Sequence, residues 1–301
     1  MRLRLGARGS ALSMAQATIV QKALGGEGAV EVLTIRTTGD RLSADGAPVG
    51  WKGDFTKELD EALLDGRIDL AVHSMKDVPS AIPSGLALSA VPAREDPRDA
   101  LLSHPRRSFE QLPRGARIGT SSPRRQAQLR AARPDLEILE ARGNVDTRIR
   151  RMQEGRFDAL VLARAGLARL GRLEEIAEVF SESMLLPAVG QGALAIVTRG
   201  EDGPVQAIVD RLDHASSHRE ILAERALLAA LEAGCRAPVA ARARVEGEVL
   251  SLTGAVFSVD GRMVLRGERG GASAEAVSIG RALAQDLLAR GAASLISKAR
   301  V

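Results

Sequence analysis

One cysteine, Cys235, lies in Gly234-Cys235-Arg236-Ala237-Pro238. A lone thiol makes no disulfide framework, so it is either a small buried apolar group or a reactive sulfur. Arg236 places a cation beside the sulfur and favours the thiolate, Gly234 reads as the end of a helix, and Pro238 stiffens the exit. Thr120-Ser121-Ser122-Pro123-Arg124-Arg125 can open a helix with Ser122 as N-cap and Pro123 in the first helical position. Two arginines then stand at the positive end of a helix dipole, which makes sense if an anion sits among them; two solvated arginines are the plain alternative. His73-Ser74-Met75-Lys76-Asp77-Val78-Pro79 follows a strand-like apolar run, so Lys76 and Asp77 fall at a strand end. Among arginines a carboxylate stays ionised and could stabilise a developing cation or relay protons, although Asp before Val-Pro also suits a simple turn. Arg142-Gly143-Asn144-Val145-Asp146-Thr147-Arg148 adds guanidiniums after another strand, and repeated arginine suits a ligand with several carboxylates. His214 and His218 have i, i+4 spacing but no third ligand nearby, so no metal site is expected.

The elements that must carry these residues occur twice. Leu5-Gly6-Ala7-Arg8-Gly9-Ser10 and Ile118-Gly119-Thr120-Ser121-Ser122-Pro123 each read as a strand breaking at Gly into a Ser/Arg turn and a helix. Glu31–Arg36 and Glu137–Arg142 are short strand-like runs ending in Arg. Gly66–Val72 and Gly155–Val161 each read as a helix-ending Gly before a strand buried on both faces. Three pairs in one order predict two α/β domains of common design, with ligands gathering at the carboxyl ends of the strands. Two such domains facing each other would make a cleft shared by Arg8, Ser10, Ser121, Ser122, Arg124 and Arg125. After residue 212 the pattern changes. Ser217-His218-Arg219-Glu220 reads as a capping box opening a helix to about Ala233. Strands are expected near Val239–Val245, Val249–Ser258 and Arg262–Arg266, the last two joined by an Asp260-Gly261 hairpin, and a helix near Ser273–Arg290. This third piece is a small α+β domain carrying the thiol.

The 301 residues and 45% apolar content suit about two ordinary globular domains. No apolar run approaches the ~20 residues of a membrane span, and no export signal is read at the start, so a cytoplasmic protein is expected. The net charge of +4 is uneven, because residues 101–170 hold 15 Arg against 7 Asp and Glu. With no Tyr, one Trp and five Phe, a base-stacking platform is hard to assemble, so small polyanions are favoured over nucleic acid.

Together HSMKDVP at 73–79, GTSSPRR at 119–125, RGNVDTR at 142–148, PAVGQGAL at 187–194 and the Gly234-Cys235 turn resemble the porphobilinogen deaminase (hydroxymethylbilane synthase) family. The resemblance covers nearly the whole chain in order. It implies two lobes like those of type II periplasmic binding proteins and a third, smaller α+β domain, divided as 1–92 with 193–212, 93–192 and 213–301. It also implies a dipyrromethane cofactor in thioether linkage to Cys235, on which four porphobilinogen units are joined before water releases hydroxymethylbilane. Asp77 would be the catalytic carboxylate. Lys76, Ser122, Arg124 and Arg125 would hold cofactor carboxylates, and Arg8, Ser10, Arg142, Arg148, Arg169 and Gln191 would bind substrate or the growing chain.

The Gly50–Phe55 stretch is similar to an active-site loop of the family, with Lys52 and Phe55 matching, but Trp51 stands where Gly is usual and Asp54 where an apolar residue is usual. A monomer is expected, with porphobilinogen and, by hand-over of product, the next enzyme of the pathway as partners. Neither nucleic acid nor membrane is expected to bind. The competing readings are a non-catalytic binder of a small anion on the same scaffold and an RNA-binding protein, neither of which would release ammonia from porphobilinogen.

Overall fold

The structure is a computed structural model that describes residues 2–40, 55–234 and 237–299. In chain order it runs β1 (Leu3–Ala7), α1 (Ala11–Ala23), β2 (Val30–Thr34), α2 (Lys57–Leu64), β3 (Leu70–Ser74), β4 (Leu86–Ala90), β5 (Asp99–Ser103) and β6 (Arg117–Gly119). Then come α3 (Pro123–Ala132), β7 (Glu137–Leu139), α4 (Val145–Gln153), β8 (Ala159–Ala163), α5 (Arg164–Arg169), β9 (Glu178–Val179), β10 (Leu194–Arg199) and α6 (Gly203–Val209). The chain ends with α7 (Ala215–Ala230), β11 (Val239–Glu246), β12 (Val249–Phe257), β13 (Val264–Ala272), α8 (Ala276–Ala289) and α9 (Ala292–Lys298). Two compact units result: Met1–Glu95 with Gly192–His218, and Asp96–Gln191 with Arg219–Val301.

The first unit is a sheet–helix lobe with strand order β2-β1-β3-β10-β4. The first three strands are parallel, while β10 runs antiparallel to β3 and β4. One face of α1 is buried at Ser13, Gln16, Ala17 and Val20, the i, i+3, i+4, i+7 stripe of a half-buried helix. Ala17 and Val20 join Leu5, Val72 and Ile196 in the core. The two polar members of the stripe are aimed at strand ends: Gln16 Nε2 donates to Ser74 Oγ at 2.7 Å, and Ser13 Oγ accepts the Arg8 N–H at 3.0 Å.

The second unit repeats this plan as β7-β6-β8-β5-β9, three parallel strands followed by antiparallel β5 and β9. Alternate residues of its central strands serve opposite faces, as a strand's two-residue period requires. Leu101, Ala159 and Val161 pack with Leu129 of α3, whereas Ala100, Leu102, Leu160 and Leu162 pack with Ile149 of α4 and Leu167 of α5.

The duplication extends to individual bonds. In the first lobe the Arg4 N–H and Nε donate to Asp69 Oδ2 at 2.8 and 3.0 Å, and Nη2 donates to Oδ1 at 2.6 Å. In the second, the Arg117 N–H and Nε donate to Asp158 Oδ2 at 2.8 and 3.1 Å, and Nη2 to Oδ1 at 2.9 Å. Gly6 and Gly119 occupy matching ends of β1 and β6. A Cβ there would lie 2.3 Å from Ile68 Cδ1 and 2.6 Å from Leu160 Cδ2, so each bare backbone lets a core side chain approach. Gly66 and Gly155 close the preceding helices in the left-handed region, with φ of 69° and 80°, as expected from the sequence.

The second unit also contains the smaller sheet domain, the antiparallel meander β11-β12-β13. Its core joins Leu227 of α7, Ala241, Leu252, Leu283 of α8 and Leu295 of α9. Three expectations are corrected here. The helix of the lone-cysteine segment starts at Ala215, not at a Ser217 capping box: His214 Nδ1 accepts the Ser217 N–H at 3.3 Å, and Ser217 Oγ is committed to the Arg94 N–H at 3.0 Å. That helix ends at Ala230, and the left-handed residue after it is Glu232, with φ 49°, rather than Gly234. Strand β13 runs on to Ala272, because Gly267 and Gly271 are close-approach positions under Leu283 and Ile279 of α8 rather than loop residues.

Candidate active site

In the first lobe β3 ends at Ser74 and passes into a single 3₁₀ turn, Met75–Asp77. Antiparallel β10 holds this turn: Leu194 pairs with Ser74, and the Met75 N–H donates to the Ala193 carbonyl at 3.0 Å. Lys76 is exposed and Asp77 half-buried. Among the described residues, no hydrogen bond or ion pair engages the Asp77 carboxylate. A half-buried carboxylate held by a backbone-braced turn, with its oxygens uncommitted, is suited to meet a cation.

Arg8 leaves the end of β1, and Ser10 caps α1 by accepting the Ser13 N–H at 3.3 Å. The Arg8 guanidinium is fixed from two sides. Nε and Nη2 donate to Asp40 Oδ1 at 3.2 and 2.5 Å, and its carbon lies 4.0 Å from the centre of the Phe55 ring. Burial pushes the Asp40 carboxyl up, but hydrogen bonds from Arg8, its charge and the bonds from Thr37 hold it below the usual carboxylate range. Sequence reading missed Asp40. Its signal was the Thr37-Thr38-Gly39-Asp40 run, a polar cluster right after a strand.

In the second lobe Ser122 caps α3, accepting the Arg125 N–H at 3.4 Å, and Pro123 is the first helical residue, as expected. Between the two guanidiniums lies Asp99, at the head of β5 and wholly buried. Antiparallel β5 pairs Asp99 with Ala163, which brings the carboxylate to the sheet end where β6 and β8 also finish. Arg124 Nη1 donates to Asp99 Oδ2 at 2.7 Å, while Arg125 Nε and Nη2 donate to Oδ1 at 2.9 and 2.7 Å. Gln191 Nε2 donates to the same Oδ1 at 2.9 Å and to the Pro97 carbonyl at 2.6 Å. Burial pushes the Asp99 carboxyl up, but Arg124 and Arg125, with the Gln191 amide, hold it at about 2. Burial lowers the pKa of Arg124.

The remaining arginines lie in the same unit. Arg142 pairs with Glu140 at 2.7 Å, Arg148 Nε donates to the Gly143 carbonyl at 2.7 Å, and Arg169 is half-buried at the last residue of α5. Cys235, and Lys52 and Trp51 within 41–54, lie outside the described residues. His214 and His218 are engaged by Ser217 and Asp213. Among the described residues, no three His, Cys, Asp or Glu side chains gather as metal ligands.

Two guanidiniums around one carboxylate leave a surplus positive charge. Ser121 Oγ and Arg124 Nε are buried without a hydrogen-bond partner among the described residues. Unmet buried donors cost about 1–3 kcal/mol each, and a ligand carboxylate would satisfy them. The residues present therefore fit a group with acidic arms.

His73 on β3 is also buried, with Nε2 unmet. Burial, helped by the charge of Arg8, pushes its imidazole down to about 4. Unfolded histidine takes up its proton near 6.5. Between those values the unfolded chain binds more protons, so stability present above pH 6.5 is lost as pH falls toward 4. We expect the urea unfolding free energy to fall by about 2 kcal/mol from pH 7 to pH 5, with this slope reduced in His73→Gln. Equal stability at both pH values would contradict a buried neutral His73.

A family model described as "Porphobilinogen deaminase, dipyromethane cofactor binding domain" matches residues 3–207, and one for the C-terminal domain of porphobilinogen deaminase matches residues 218–289. The porphobilinogen deaminase of Rubrobacter xylanophilus is 52% identical over 99% of this chain and 98% of its own. Those of Trichlorobacter lovleyi and Geobacter sulfurreducens are each 46% identical, over 98% and 99% of this chain and 96% and 94% of their own. Among solved structures, a Salmonella typhimurium periplasmic binding protein aligns over 70% of this chain and 91% of its own, at 13% identity and a TM-score of 0.39. A Bacillus subtilis lipoprotein aligns over 71% and 90%, at 15% identity and a TM-score of 0.43. Sequence likeness of that extent, carried by both family models, makes the chain a member of the porphobilinogen deaminase family.

Proposed function

We propose that Asp77 carries the reaction of this family in the chain, with dipyrromethane held in thioether linkage to Cys235. The reaction is the deamination and head-to-tail joining of four porphobilinogen molecules, followed by hydrolytic release of hydroxymethylbilane. Each joining forms one carbon–carbon bond and releases one ammonia. Bound dipyrromethane supplies the pyrrole carbon to which the first unit is joined. The observation that carries the reading is the uncommitted, half-buried carboxylate of Asp77 on its braced turn. That carboxylate accepts pyrrole N–H groups and offsets the positive charge that develops as ammonia leaves.

Arg124 and Ser121 meet cofactor carboxylates with Nε and Oγ, and Ser122, Arg125 and Lys76 complete that set. Gln191 and Asp99 keep Arg125 in place. Arg8, oriented by Asp40 and Phe55, binds substrate carboxylates with Ser10, Arg142, Arg148 and Arg169. Bidentate recognition explains why these positions are Arg rather than Lys. Lys52 and Phe55 are assigned to the active-site loop.

Attachment would join two porphobilinogen molecules to the Cys235 thiol with loss of two ammonia, the thiol hydrogen leaving with the first. It needs a reduced sulfur, which supports a cytoplasmic setting; among the described residues no helix is long and apolar enough to cross a membrane. The reading includes a monomer of three domains, divided at 1–92 with 193–212, 93–192 and 213–301, and hand-over of hydroxymethylbilane to the next enzyme. Incubation of the purified protein with porphobilinogen tests it: four ammonia per tetrapyrrole are expected, and binding without ammonia release would overturn it.

A further inference from the structure

The second lobe has a cavity of about 300 Å³ lined in part by His104, Arg107, Leu112, Arg114, Ala116 and Asp158. It lies at the far end of the sheet from Asp99. β5 leaves Ser103 opposite Ala159, the first residue of β8, and Ala116 precedes β6, so the cavity sits at the amino ends of β6 and β8. The candidate active-site residues Thr120 to Arg125 follow the carboxyl end of β6.

Its charges are unbalanced in one direction. Asp158 accepts three hydrogen bonds from Arg117, so its charge is already answered. Arg107 and Arg114 are exposed, and neither guanidinium makes a hydrogen bond or close ion pair among the described residues, although the charge of Arg107 is felt by Asp158 and that of Arg114 by Asp135. The 103–107 turn is itself fixed, since Ser103 Oγ accepts the Arg107 N–H at 2.7 Å and donates to the Arg107 carbonyl at 2.8 Å. Leu112 and Ala116 are buried and give the cavity an apolar part.

We propose that this cavity is a second binding site, for a small dicarboxylate. Each guanidinium can hold one carboxylate through two parallel N–H donors. The volume lies at the small end of ligand pockets, so the occupant is one ring or a short chain rather than a polymer of rings. The apolar lining selects an organic anion over inorganic phosphate. Porphobilinogen, with two carboxylates on one pyrrole, meets this description, and so does an aliphatic diacid; the shared chemistry is two carboxylates on a small apolar body.

The test is titration of glutarate into the full-length protein with methyl-labelled leucine and alanine, followed by NMR at Leu112 and Ala116, which report this cavity and not the carboxyl-end site. Saturable shifts are expected, with butyrate at least about ten-fold weaker, because only one of two arginine contacts is then made. The double variant Arg107→Ala/Arg114→Ala should weaken glutarate about ten-fold or more while leaving porphobilinogen turnover unchanged. Repeating the titration with porphobilinogen on the Asp77→Asn protein distinguishes the sources: shifts there identify the substrate as occupant, and shifts with glutarate alone identify an aliphatic diacid. No saturable shift with either probe, equal affinity for butyrate, or unchanged affinity in the double variant would overturn the proposal.

Discussion

Replacing Asp77 with Asn is expected to leave the fold and the attached cofactor in place and to lower kcat by about 10²–10⁴-fold, the range for loss of a positioned acid–base group. The substitution keeps the size of the side chain and removes its charge. The turn should survive, because backbone bonds hold it: Met75 N–H to the Ala193 carbonyl, and Val78 N–H to the Met75 carbonyl at 3.1 Å. Under the role proposed for Asp77, the loss measures its negative charge where ammonia leaves. Steady-state turnover, circular dichroism and intact mass together separate this from unfolding or failed assembly. Turnover within about three-fold of the parent, well short of that range, would remove Asp77 from the chemistry.

Asp99→Leu is expected to cost about 3–5 kcal/mol of unfolding free energy, because it leaves two buried guanidiniums without their carboxylate. Arg124→Leu should cost less, since Asp99 keeps Arg125 and Gln191 as partners and one buried positive charge is removed. This order distinguishes a charge cluster built on Asp99 from two independent arginine sites. Urea unfolding of both variants at pH 7 checks it, and an Asp99→Leu protein as stable as Arg124→Leu would contradict it. Acid should act on the same cluster. With Asp99 held at about 2, its contribution is present above the unfolded value near 3.8 and is lost as pH falls toward 2.

What the sequence showed plainly was local. Ser122 and Pro123 announce the start of α3 through cap chemistry that needs no distant partner, and Gly66 and Gly155 mark helix ends because each must adopt a positive φ. The duplication was legible because the short strands and turns recur in order. The hidden features depend on long-range pairing. Asp99 stands 25 residues before Arg124, and only the antiparallel course of β5 brings them together. An acidic residue heading the apolar Ala100-Leu101-Leu102 run was the available signal. Asp40 was missed for the same reason, its partner Arg8 being 32 residues away. The false capping box at Ser217 shows tertiary competition, since the hydroxyl that would have capped the helix serves the Arg94 N–H instead.

The proposed function requires that the chain build its product on a dipyrromethane fixed to Cys235. The most direct test is the intact mass of the denatured protein beside Cys235→Ser. The parent is expected to exceed its sequence mass by two porphobilinogen molecules less two ammonia, and the variant to carry no such excess and form no hydroxymethylbilane. A parent of unmodified mass that still makes the tetrapyrrole, or a Cys235→Ser protein that keeps the adduct, would contradict it.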